Sequence, residues 1–550
     1  MKKITAYLFC LIFLIAGEQE SPAQISQEWA ERYNGSGNGN DIPYSIITGK
    51  SNDIIVTGTS DGTGTGNDIT TIKYNSSGEL QWIQRYNGTG NGYDAALAMT
   101  IDDIGNIFVT GSSAGIGTGS DIALIKYNSS GEQQWIQSYN GPSDSSDAAS
   151  SIALDASGNI YVLGESKGIG TGSDVVLIKY NSSGAEQWAA RYNSGGDTND
   201  YSLKVIVDKN QDICVAAYNI NSGGNNTKYV TLKYNSSGIL QWSRIYNGPV
   251  GYFNTPHDFA LDSMDNIYVT GCSPGIGTGL YDFCTIKYNP AGDMIWLRRY
   301  NYLATAYDVA NAIAIGASGN IYISGYSGST SQPNTFDYAT VKYDSSGNEL
   351  WVRRYNGTGN NNDRARFINL DSLENVYVAG SSIGSGTGTD YVTLKYDSSG
   401  QQIWNARYDG PVNGDDFPTG VSVTGSGLVF MTGYSQGSGT GFDYATIKYS
   451  QKIGVTSISS EIPETFALYQ NYPNPFNPST IIKFSIPKSI YVTLTVSDLL
   501  GREVAVLVNR HLQMGSYQAD WNAGSFPGGI YFYTLSAGEF SETRKMTLIK

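Results

Sequence analysis

WIQRYNGTGNGYDAALAMTIDDIGNIFVTGSSAGIGTGSDIALIKYNSSG, residues 82–131, is the stretch that decides the fold. Four short apolar or aromatic runs alternate in it with Gly-, Asn- and Asp-rich segments, which contain the residues that tight turns need. The pattern therefore predicts four short strands joined by turns. In the last run, residues 122–127, apolar side chains fall on both faces of the strand, as expected for a sheet that is covered on both sides.

The same unit recurs along the chain every 53 to 55 residues. A tryptophan begins each unit, at Trp29, Trp82, Trp135, Trp188, Trp242, Trp296, Trp351 and Trp404. A tyrosine ends each last apolar run, at Tyr74, Tyr127, Tyr180, Tyr234, Tyr288, Tyr343, Tyr396 and Tyr449. A period near 50 with four strands per unit is typical of a β-propeller blade, whereas a helical repeat would show a 3.6-residue period. Because one blade cannot cover its own two faces, the blades are expected to close into a ring.

The two ends of the repeat predict how the ring closes. The repeat begins with a single Trp-type strand, residues 28–34, and ends with a Lys-Tyr strand, residues 444–449, that has no Trp-type strand after it. The first strand can therefore complete the last blade, which removes an exposed sheet edge. The prediction is an all-β chain in which residues 24–450 form an eight-bladed β-propeller with three-plus-one closure of the last blade.

Two segments of the unit carry a resemblance to a known repeat. Residues 155–162, DASGNIYV, and residues 443–449, DYATIKY, are similar to the D-x-x-G-N-I-Y-V and D-Y-A-T-I-K-Y patterns of a bacterial β-propeller repeat family. The resemblance extends over about residues 27–449. That family is usually described as seven-bladed, whereas the tryptophans and tyrosines of this chain predict eight blades.

Composition and charge disfavour some classes of function and indicate export from the cytoplasm. The chain has 66 Gly, 41 Tyr and only 15% charged residues, which is typical of turn-rich β-structure. A net charge of −15 repels phosphate backbones and anionic lipids, so no nucleic-acid partner is expected. Residues 1–23 combine a basic head, an apolar run and small residues before the expected cut, as a secretory signal peptide does. No later segment is long and apolar enough to be transmembrane.

Three cysteines follow the expected cut, at Cys214, Cys272 and Cys284. An odd number in a large domain does not form a disulfide framework. Cys272 and Cys284 can pair across adjacent strands, or all three cysteines can be small buried side chains.

Two sets of acidic residues recur in the loops. Twelve residues after each Trp stands Asp41, Asp94, Asp147, Asp200, Asn254, Asp308, Asp363 or Asp416. Six residues before each repeated Tyr stands Asp68, Asp121, Asp174, Lys228, Asp282, Asp337, Asp390 or Asp443. These aspartates can accept backbone N–H bonds in their own turns, which would make their recurrence architectural. Alternatively, the seven aspartates of the second set are ligands of calcium, the one cofactor that the sequence suggests.

The repeat is broken in its fourth to seventh units, where a unique ligand site is expected. The candidate ligand-binding residues are Lys228, Tyr252, Asn254, His257, Tyr302, Arg364 and Arg366. Aromatic rings beside amides and arginines are typical of carbohydrate or peptide sites. The alternative is ordinary drift in surface loops, which tolerate substitution.

Catalytic patterns are weak in this chain. His257 and His511 are the only histidines, so Ser-His-Asp triads and His-rich metal sites lack candidates, and no catalytic residue is assigned. A pair of carboxylates can hydrolyse glycosides, but no two acids stand out from the repeated Asp. The leading hypothesis is a non-catalytic binding module for polysaccharide, peptide or protein. The alternatives are a carboxylate-dependent polysaccharide hydrolase or lyase and a calcium-stabilised structural or adhesive protein.

The repeat ends before residue 451, and a different residue pattern follows. Residues 451–464 are expected to be a linker, and residues 465–550, with six or seven strand-like runs, a small immunoglobulin-like β-sandwich. This segment resembles the type A sorting domain of the type IX secretion system. The resemblance is carried by Asn471, Tyr472, Pro473, Asn474, Pro475, Phe476, Gly501, Gly529, Tyr531 and Lys545. It implies the type IX machinery as a partner and a secreted or outer-surface location. For the propeller, an unknown extracellular ligand is expected.

Overall fold

A computed structural model of the chain describes residues 24–549 apart from gaps at 196–197, 221–223, 225, 250–252, 276–279, 303–305, 329–334, 426, 453–454, 460–462 and 524–525. The described residues form strands and turns and contain no helix, which confirms the all-β prediction. Accordingly, they include no helix with the length and apolarity needed to cross a membrane. The expected signal peptide, residues 1–23, lies outside the described residues.

Thirty-two strands precede residue 453. In chain order, the first sixteen are β1 (Gln24–Tyr33), β2 (Ile42–Thr48), β3 (Ile54–Gly62), β4 (Gly66–Tyr74), β5 (Leu80–Tyr86), β6 (Ala95–Ile101), β7 (Ile107–Ala114), β8 (Ser120–Tyr127), β9 (Gln133–Tyr139), β10 (Asp147–Leu154), β11 (Ile160–Lys167), β12 (Ser173–Tyr180), β13 (Glu186–Tyr192), β14 (Asn199–Val207), β15 (Ile213–Ile220) and β16 (Thr227–Tyr234). The next sixteen are β17 (Leu240–Tyr246), β18 (Thr255–Leu261), β19 (Ile267–Pro274), β20 (Tyr281–Tyr288), β21 (Met294–Tyr300), β22 (Asp308–Ile315), β23 (Ile321–Gly328), β24 (Phe336–Tyr343), β25 (Glu349–Tyr355), β26 (Asp363–Leu370), β27 (Val376–Ile383), β28 (Thr389–Tyr396), β29 (Gln402–Tyr408), β30 (Asp416–Val423), β31 (Val429–Gln436) and β32 (Phe442–Lys452).

These strands form eight four-stranded antiparallel sheets, here named S1 to S8. Each of S1 to S7 contains four strands that are consecutive in the chain: S1 contains β2 to β5, S2 contains β6 to β9, and so on to S7, which contains β26 to β29. S8 contains β30, β31, β32 and β1. Strand β1 pairs with β32, from Gln24 opposite Lys452 to Tyr33 opposite Tyr444. The first strands of neighbouring sheets contact each other in a closed circuit, in the order β2, β6, β10, β14, β18, β22, β26, β30 and back to β2. These first strands therefore line the middle of the array.

Each sheet packs its faces against its neighbours. Between S2 and S3, Phe108 and Ile122 share one core with Ile160 and Val162. S8 and S1 share a core in the same way. Burying each large apolar side chain contributes about 1.5–3 kcal/mol. The apolar residues on both faces of the strands are thus explained by a neighbouring sheet on each side.

Seven of the eight repeated tryptophans join one sheet to the next. The indole of Trp82, on β5 of S1, lies against the turn glycine Gly131 of S2, and its Nε1 donates to the Ser129 carbonyl at 3.4 Å. Gly131 has a φ of 86°, and a Cβ at this position would stand 2.7 Å from the indole. The turn glycines with this contact are Gly78, Gly131, Gly184, Gly238, Gly292, Gly347 and Gly400. Only glycine combines this backbone conformation with such a close approach.

Beyond residue 452 the chain forms two more four-stranded sheets, in the strand orders β33-β38-β35-β34 and β37-β36-β39-β40. Their strands are β33 (Val455–Ser459), β34 (Ala467–Leu468), β35 (Ser479–Ile486), β36 (Ile490–Ser497), β37 (Glu503–Leu512), β38 (Gly515–Asn522), β39 (Gly529–Ala537) and β40 (Phe540–Leu548). The expected linker 451–464 differs from the structure, because β32 runs into it and β33 pairs with β38. Strand β33 satisfies the backbone groups that the edge of β38 would otherwise leave unpaired.

Two substitutions in S3 distinguish the contribution of the Trp–Gly contact to stability from the contribution of backbone strain. Gly184 has a φ of 88°, and its Cβ would lie 2.9 Å from Trp135, whereas Gly170 has a φ of 73° and nothing within 4 Å. Gly170→Ala should lower the free energy of unfolding by about 1 kcal/mol through strain alone. Gly184→Ala should lower it by a further 1–3 kcal/mol, roughly, through overpacking. Urea unfolding of the full chain measures both, and equal losses would contradict the proposed contact.

Candidate functional site

Each first strand contains a β-bulge near its start. In β18 the pairing with β19 passes from Pro256 to Asp258 and leaves His257 unpaired, and in β26 it leaves Arg366 unpaired in the same way. The bulge residues of the eight first strands are Tyr44, Leu97, Ser150, Leu203, His257, Asn311, Arg366 and Thr419. A bulge re-aims a side chain and is common beside functional sites. This position differs in chemistry around the ring, although the residues around it repeat.

A cavity of about 410 Å³ opens beside these bulges in S5, S6 and S7. Its described lining consists of His257, Asn311, Tyr326, Arg364, Arg366 and Phe367. The volume is in the range of sites for small molecules. Three of the residues predicted to bind a ligand, His257, Arg364 and Arg366, therefore line one cavity.

The two arginines of the cavity have no anionic partner among the described residues. The Arg364 guanidinium lies 5.2 Å from the ring centre of Tyr326 and 5.3 Å from that of Phe336, and its buried Nε has no hydrogen-bond partner. Arg366 is exposed. The other described arginines before residue 453 all donate to a carboxylate or a carbonyl: Arg32, Arg85, Arg191, Arg244, Arg298, Arg299, Arg353, Arg354 and Arg407. Two unpaired positive charges thus stand together in an acidic protein.

Two polar side chains hold the cavity wall in place. His257 Nδ1 is 2.8 Å from the Ala310 carbonyl, and because a carbonyl only accepts, Nδ1 carries the proton and leaves Nε2 as an acceptor. Burial lowers the pKa of His257, so the ring is neutral near pH 7. Asn311 Nδ2 donates to the Ala365 carbonyl at 2.6 Å. Both bonds cross from one sheet to the next and fix the lining.

The first set of loop aspartates is architectural. Asp94 is buried, and its Oδ2 accepts the N–H of Gly88 at 2.6 Å while its Oδ1 accepts the N–H of Ala114 at 2.8 Å. The equivalent bond to the residue six positions earlier recurs at Asp41, Asp147, Asp200, Asp308, Asp363 and Asp416. These carboxylates fold the loops that enter the first strands.

The second set, which contains the calcium candidates, pairs with arginine. Asp68 Oδ2 accepts from Arg85 Nη2 at 2.7 Å, and Arg85 lies 17 residues further along the chain. The same pairing joins Asp174 to Arg191, Asp282 to Arg299, Asp337 to Arg354, Asp390 to Arg407 and Asp443 to Arg32. Asp121 differs because Ser138 occupies the position of the arginine. Burial raises the pKa of Asp121, and Thr118 donates to its carboxylate at 3.0 Å.

One junction lacks both aspartates and the arginine. Lys228 and Ile245 stand in S4 where other sheets have Asp and Arg, and Asn254 replaces the first-set Asp of S5. All three charged groups are thus replaced together at this junction. Asn254 is buried and keeps the loop role, because its Nδ2 donates to the Asn247 carbonyl at 3.1 Å and its Oδ1 accepts from the Ser273 hydroxyl at 2.7 Å.

The remaining candidates lie away from the described lining. Lys228 is half-buried on β16 of S4, and Tyr302 packs on Arg354 with 3.7 Å between the guanidinium carbon and the ring centre. Tyr252 is outside the described residues. Cys214, Cys272 and Cys284 are buried and free, so the structure has no disulfide between Cys272 and Cys284.

The sorting-motif residues divide into buried and surface groups. Asn471 is buried, and its Nδ2 donates to the Pro473 carbonyl at 3.0 Å. Phe476 and Tyr531 each pack on Trp521 with ring centres 5.5 Å apart. The other motif residues lie at or near the surface: Tyr472, Pro473, Asn474, Pro475, Gly501, Gly529 and Lys545. The buried members hold the sandwich together, and the surface members are free to meet a partner.

Comparison with known families identifies both parts of the chain. Residues 470–550 match the family model described as secretion system C-terminal sorting domain, and residues 37–270 match the model described as outer membrane protein assembly factor BamB. The chain therefore carries a β-propeller repeat followed by a type IX sorting domain, and both sequence-based assignments are confirmed.

More distant relatives resemble the chain in part. An uncharacterized WD repeat-containing protein of Acanthamoeba polyphaga mimivirus is 26% identical over 408 residues, which cover 66% of this chain and 26% of that protein. PorZ, a surface component of the type IX secretion system of Porphyromonas gingivalis, has a TM-score of 0.40 with 14% identity, over 94% of this chain and 60% of PorZ. An α-L-arabinofuranosidase of Fusarium graminearum has a TM-score of 0.35 with 9% identity, over 54% of this chain and 91% of the enzyme. Neither solved structure is close enough to indicate what this chain binds.

The aspartate–arginine pairs can be tested at two equivalent positions. Asp174→Asn leaves the half-buried Arg191 without its charged acceptor, so it should lower the free energy of unfolding by about 2 kcal/mol. Asp121→Asn is the matched control, because Ser138 replaces the arginine there and the substitution removes a desolvated charge. It should change stability by less than about 0.5 kcal/mol, or raise it. Urea unfolding at pH 7 distinguishes the two, and equal destabilisation would contradict a specific ion pair.

Proposed function

We propose that this protein is a secreted or surface-exposed, non-catalytic β-propeller that binds an anionic polysaccharide built from uronic acids. The cavity in S5 to S7 is the proposed binding site. The observation that carries the proposal is the pair of unpartnered arginines, Arg364 and Arg366, in that cavity.

We also propose the finer architecture and the export route. S1 to S8 are the blades of an eight-bladed ring with three-plus-one closure, supported by the pairing of β1 with β32 and by the closed circuit of first strands. Residues 1–23 are a signal peptide for the inner membrane, and the sorting domain takes the chain across the outer membrane through the type IX machinery. The ring at residues 24–450 is then the part displayed outside the cell.

The arginine chemistry favours a carboxylate ligand. A guanidinium group matches the two oxygens of a carboxylate with parallel hydrogen bonds. The buried Nε of Arg364 has no partner, and a buried unsatisfied donor costs about 1–3 kcal/mol. A ligand carboxylate in the cavity would accept hydrogen bonds from a guanidinium group and compensate one of the two positive charges.

The other lining residues favour a sugar as the carrier of the carboxylate. Tyr326 and Phe336 lie with ring centres 5.1 Å apart, edge to face, beside Arg364. Of the two, Tyr326 lines the cavity, and its ring offers an apolar surface against which a pyranose ring can pack. The Nε2 acceptor of His257 and the amide of Asn311 can bond to hydroxyl groups.

The cavity chemistry supports binding without turnover. The described lining contains no carboxylate, whereas glycoside hydrolysis normally needs two acids across the scissile bond. Burial raises the pKa of both Asp308 and Asp363 to about 6, as in some catalytic acids. Each of these acids, however, accepts a backbone N–H of its own loop, from Tyr302 and Gly357. Their positions are those of the architectural set.

The test compares two matched ligands. Calorimetric titration of the full chain with polygalacturonate should show binding that weakens as salt concentration rises, and the fully methyl-esterified polymer should not bind, because its carboxylates are masked. Arg366→Gln should weaken binding about 10–100-fold, the expected cost of losing a charged hydrogen bond.

Lys50→Gln is the control variant. Lys50 is exposed in the turn between β2 and β3, at the other end of a first strand, and its substitution removes the same charge. Equal binding of the esterified polymer would refute carboxylate recognition. Binding of poly-glutamate but not of polygalacturonate would refute the sugar, and the release of new reducing ends or unsaturated products would identify an enzyme instead.

A further inference from the structure

The proposed polymer is longer than the cavity that binds it. A volume of about 410 Å³ is in the range of sites for small molecules, so the cavity takes only a short stretch of a polysaccharide. The rest of the chain must run over the surface next to the cavity. Side chains on that surface can therefore belong to the binding site although they do not line the cavity.

Three aromatic side chains lie together on S8, the sheet next to S7. They are Phe417, Tyr434 and Phe442, here named the S8 triad. The ring centre of Tyr434 is 5.1 Å from that of Phe417 and 5.1 Å from that of Phe442. All three side chains are partly exposed, and none belongs to the described cores that S8 shares with S7 and with S1. The triad is thus a surface cluster.

The repeat places the S8 triad at the level of the cavity. Its first member follows the first-set aspartate of its unit, as Arg364 does. Its second member follows the glycine of the second strand, as Tyr326 does, and its third precedes the second-set aspartate, as Phe336 does. The strand pairing is equivalent in S6, S7 and S8. The triad therefore stands in S8 where Arg364 and its aromatic neighbours stand in S7 and S6.

Arg366 connects the cavity to the triad. It lies on β26, which contacts β30, the strand that carries Phe417. Burial raises the pKa of Tyr326 and of Tyr434, and the positive charge of Arg366 opposes that rise at both hydroxyl groups. Because such an effect decreases with distance, the guanidinium group lies near both tyrosines. The cavity and the triad thus form one continuous surface across S7 and S8.

The fold does not require aromatic rings at the positions of the triad. Sheets S1 to S3 have no aromatic residue there and form the same four-stranded arrangement. Their residues at these positions are Ile42, Thr59, Asn67, Ala95, Ser112, Ser120, Ala148, Glu165 and Ser173. The aromatic rings of S8 are therefore an addition to the framework, located beside the cavity.

We propose that the S8 triad is a second sugar subsite, which holds another sugar ring of the uronic-acid chain bound at Arg364 and Arg366. Aromatic side chains offer a large apolar surface, against which the apolar face of a pyranose ring can pack. The two phenylalanines have no hydrogen-bonding group, so this subsite takes the sugar ring and leaves the carboxylate to the arginines.

This inference rests on the proposed polysaccharide binding and adds a consequence for ligand length. Once one sugar of a chain is bound at the arginines, contact of a linked sugar with the triad is intramolecular, which increases the overall affinity. An oligosaccharide long enough to reach both subsites should therefore bind more tightly than a short one.

The experiment titrates the full chain calorimetrically with a galacturonate disaccharide and a hexasaccharide, and its readout is the ratio of the two affinities. Wild type should bind the hexasaccharide at least about 30-fold more tightly. Tyr434→Ser introduces the residue that S2 and S7 have at this position and should lower the ratio about tenfold, because a packing surface is lost. Phe442→Thr, which introduces the residue of S4 and S7, should also lower it.

The control is Tyr218→Ser, the same replacement at the equivalent position of S4. Tyr218 stacks on Tyr201 with ring centres 5.0 Å apart, but the first strand of S4 lies halfway around the circuit from that of S8. Its ratio should equal that of wild type. No binding of either oligosaccharide by wild type would refute the proposed polysaccharide binding itself. Equal wild-type affinities, an unchanged ratio in Tyr434→Ser and Phe442→Thr, or a lower ratio in Tyr218→Ser would refute the second subsite alone.

Discussion

Every four-stranded sheet of the repeat is apolar on both faces, and this constraint governs the rest of the structure. A sheet of this kind is stable only between two others, so the units must be arranged without a free end. The pairing of β1 with β32 and the core shared by S8 and S1 meet that requirement. The indoles of seven repeated tryptophans, each seated on the turn glycine of the next sheet, add contacts that only glycine permits.

The repeated packing also distinguishes residues that build every unit from residues that differ between units. Loops that must recur in every unit use the same side chains, which explains why the aspartates of the first set accept loop N–H groups and most of the second set pair with arginine. The bulge positions of the first strands do not repeat one residue type. They vary from Tyr44 to Arg366, and the cavity forms where His257, Asn311 and Arg366 follow one another.

Sequence periodicity predicted the strands of the repeat, and a resemblance carried by several motifs in combination predicted the sorting domain. Periodicity did not predict the roles of individual loop residues. Tyr302 and Asn254 break the repeat as Arg364 does, but they pack into junctions instead of the cavity. A β-bulge changes which way a side chain points without any change in composition, so Asn311 was not among the candidates. Tyr326 lies on the regularly paired strand β23 and was not among them either. A comparison of the residues three positions after each first-set aspartate would have shown that the bulge residues differ between units.

One charge anomaly remains in the cavity once the repeated aspartate–arginine pairs are assigned. Arg364 and Arg366, both in S7, have no carboxylate partner among the described residues, although the chain carries a net charge of −15. Guanidinium groups of this kind suit an anionic ligand, which is the basis of the proposed polysaccharide binding.

The most direct test of the central claim is a crystal structure of the full chain with a galacturonate trisaccharide. The account predicts a uronate carboxylate within hydrogen-bond distance of Arg364 or Arg366, with a sugar ring packed near Tyr326. A trisaccharide bound elsewhere on the ring while the cavity holds only solvent would contradict it.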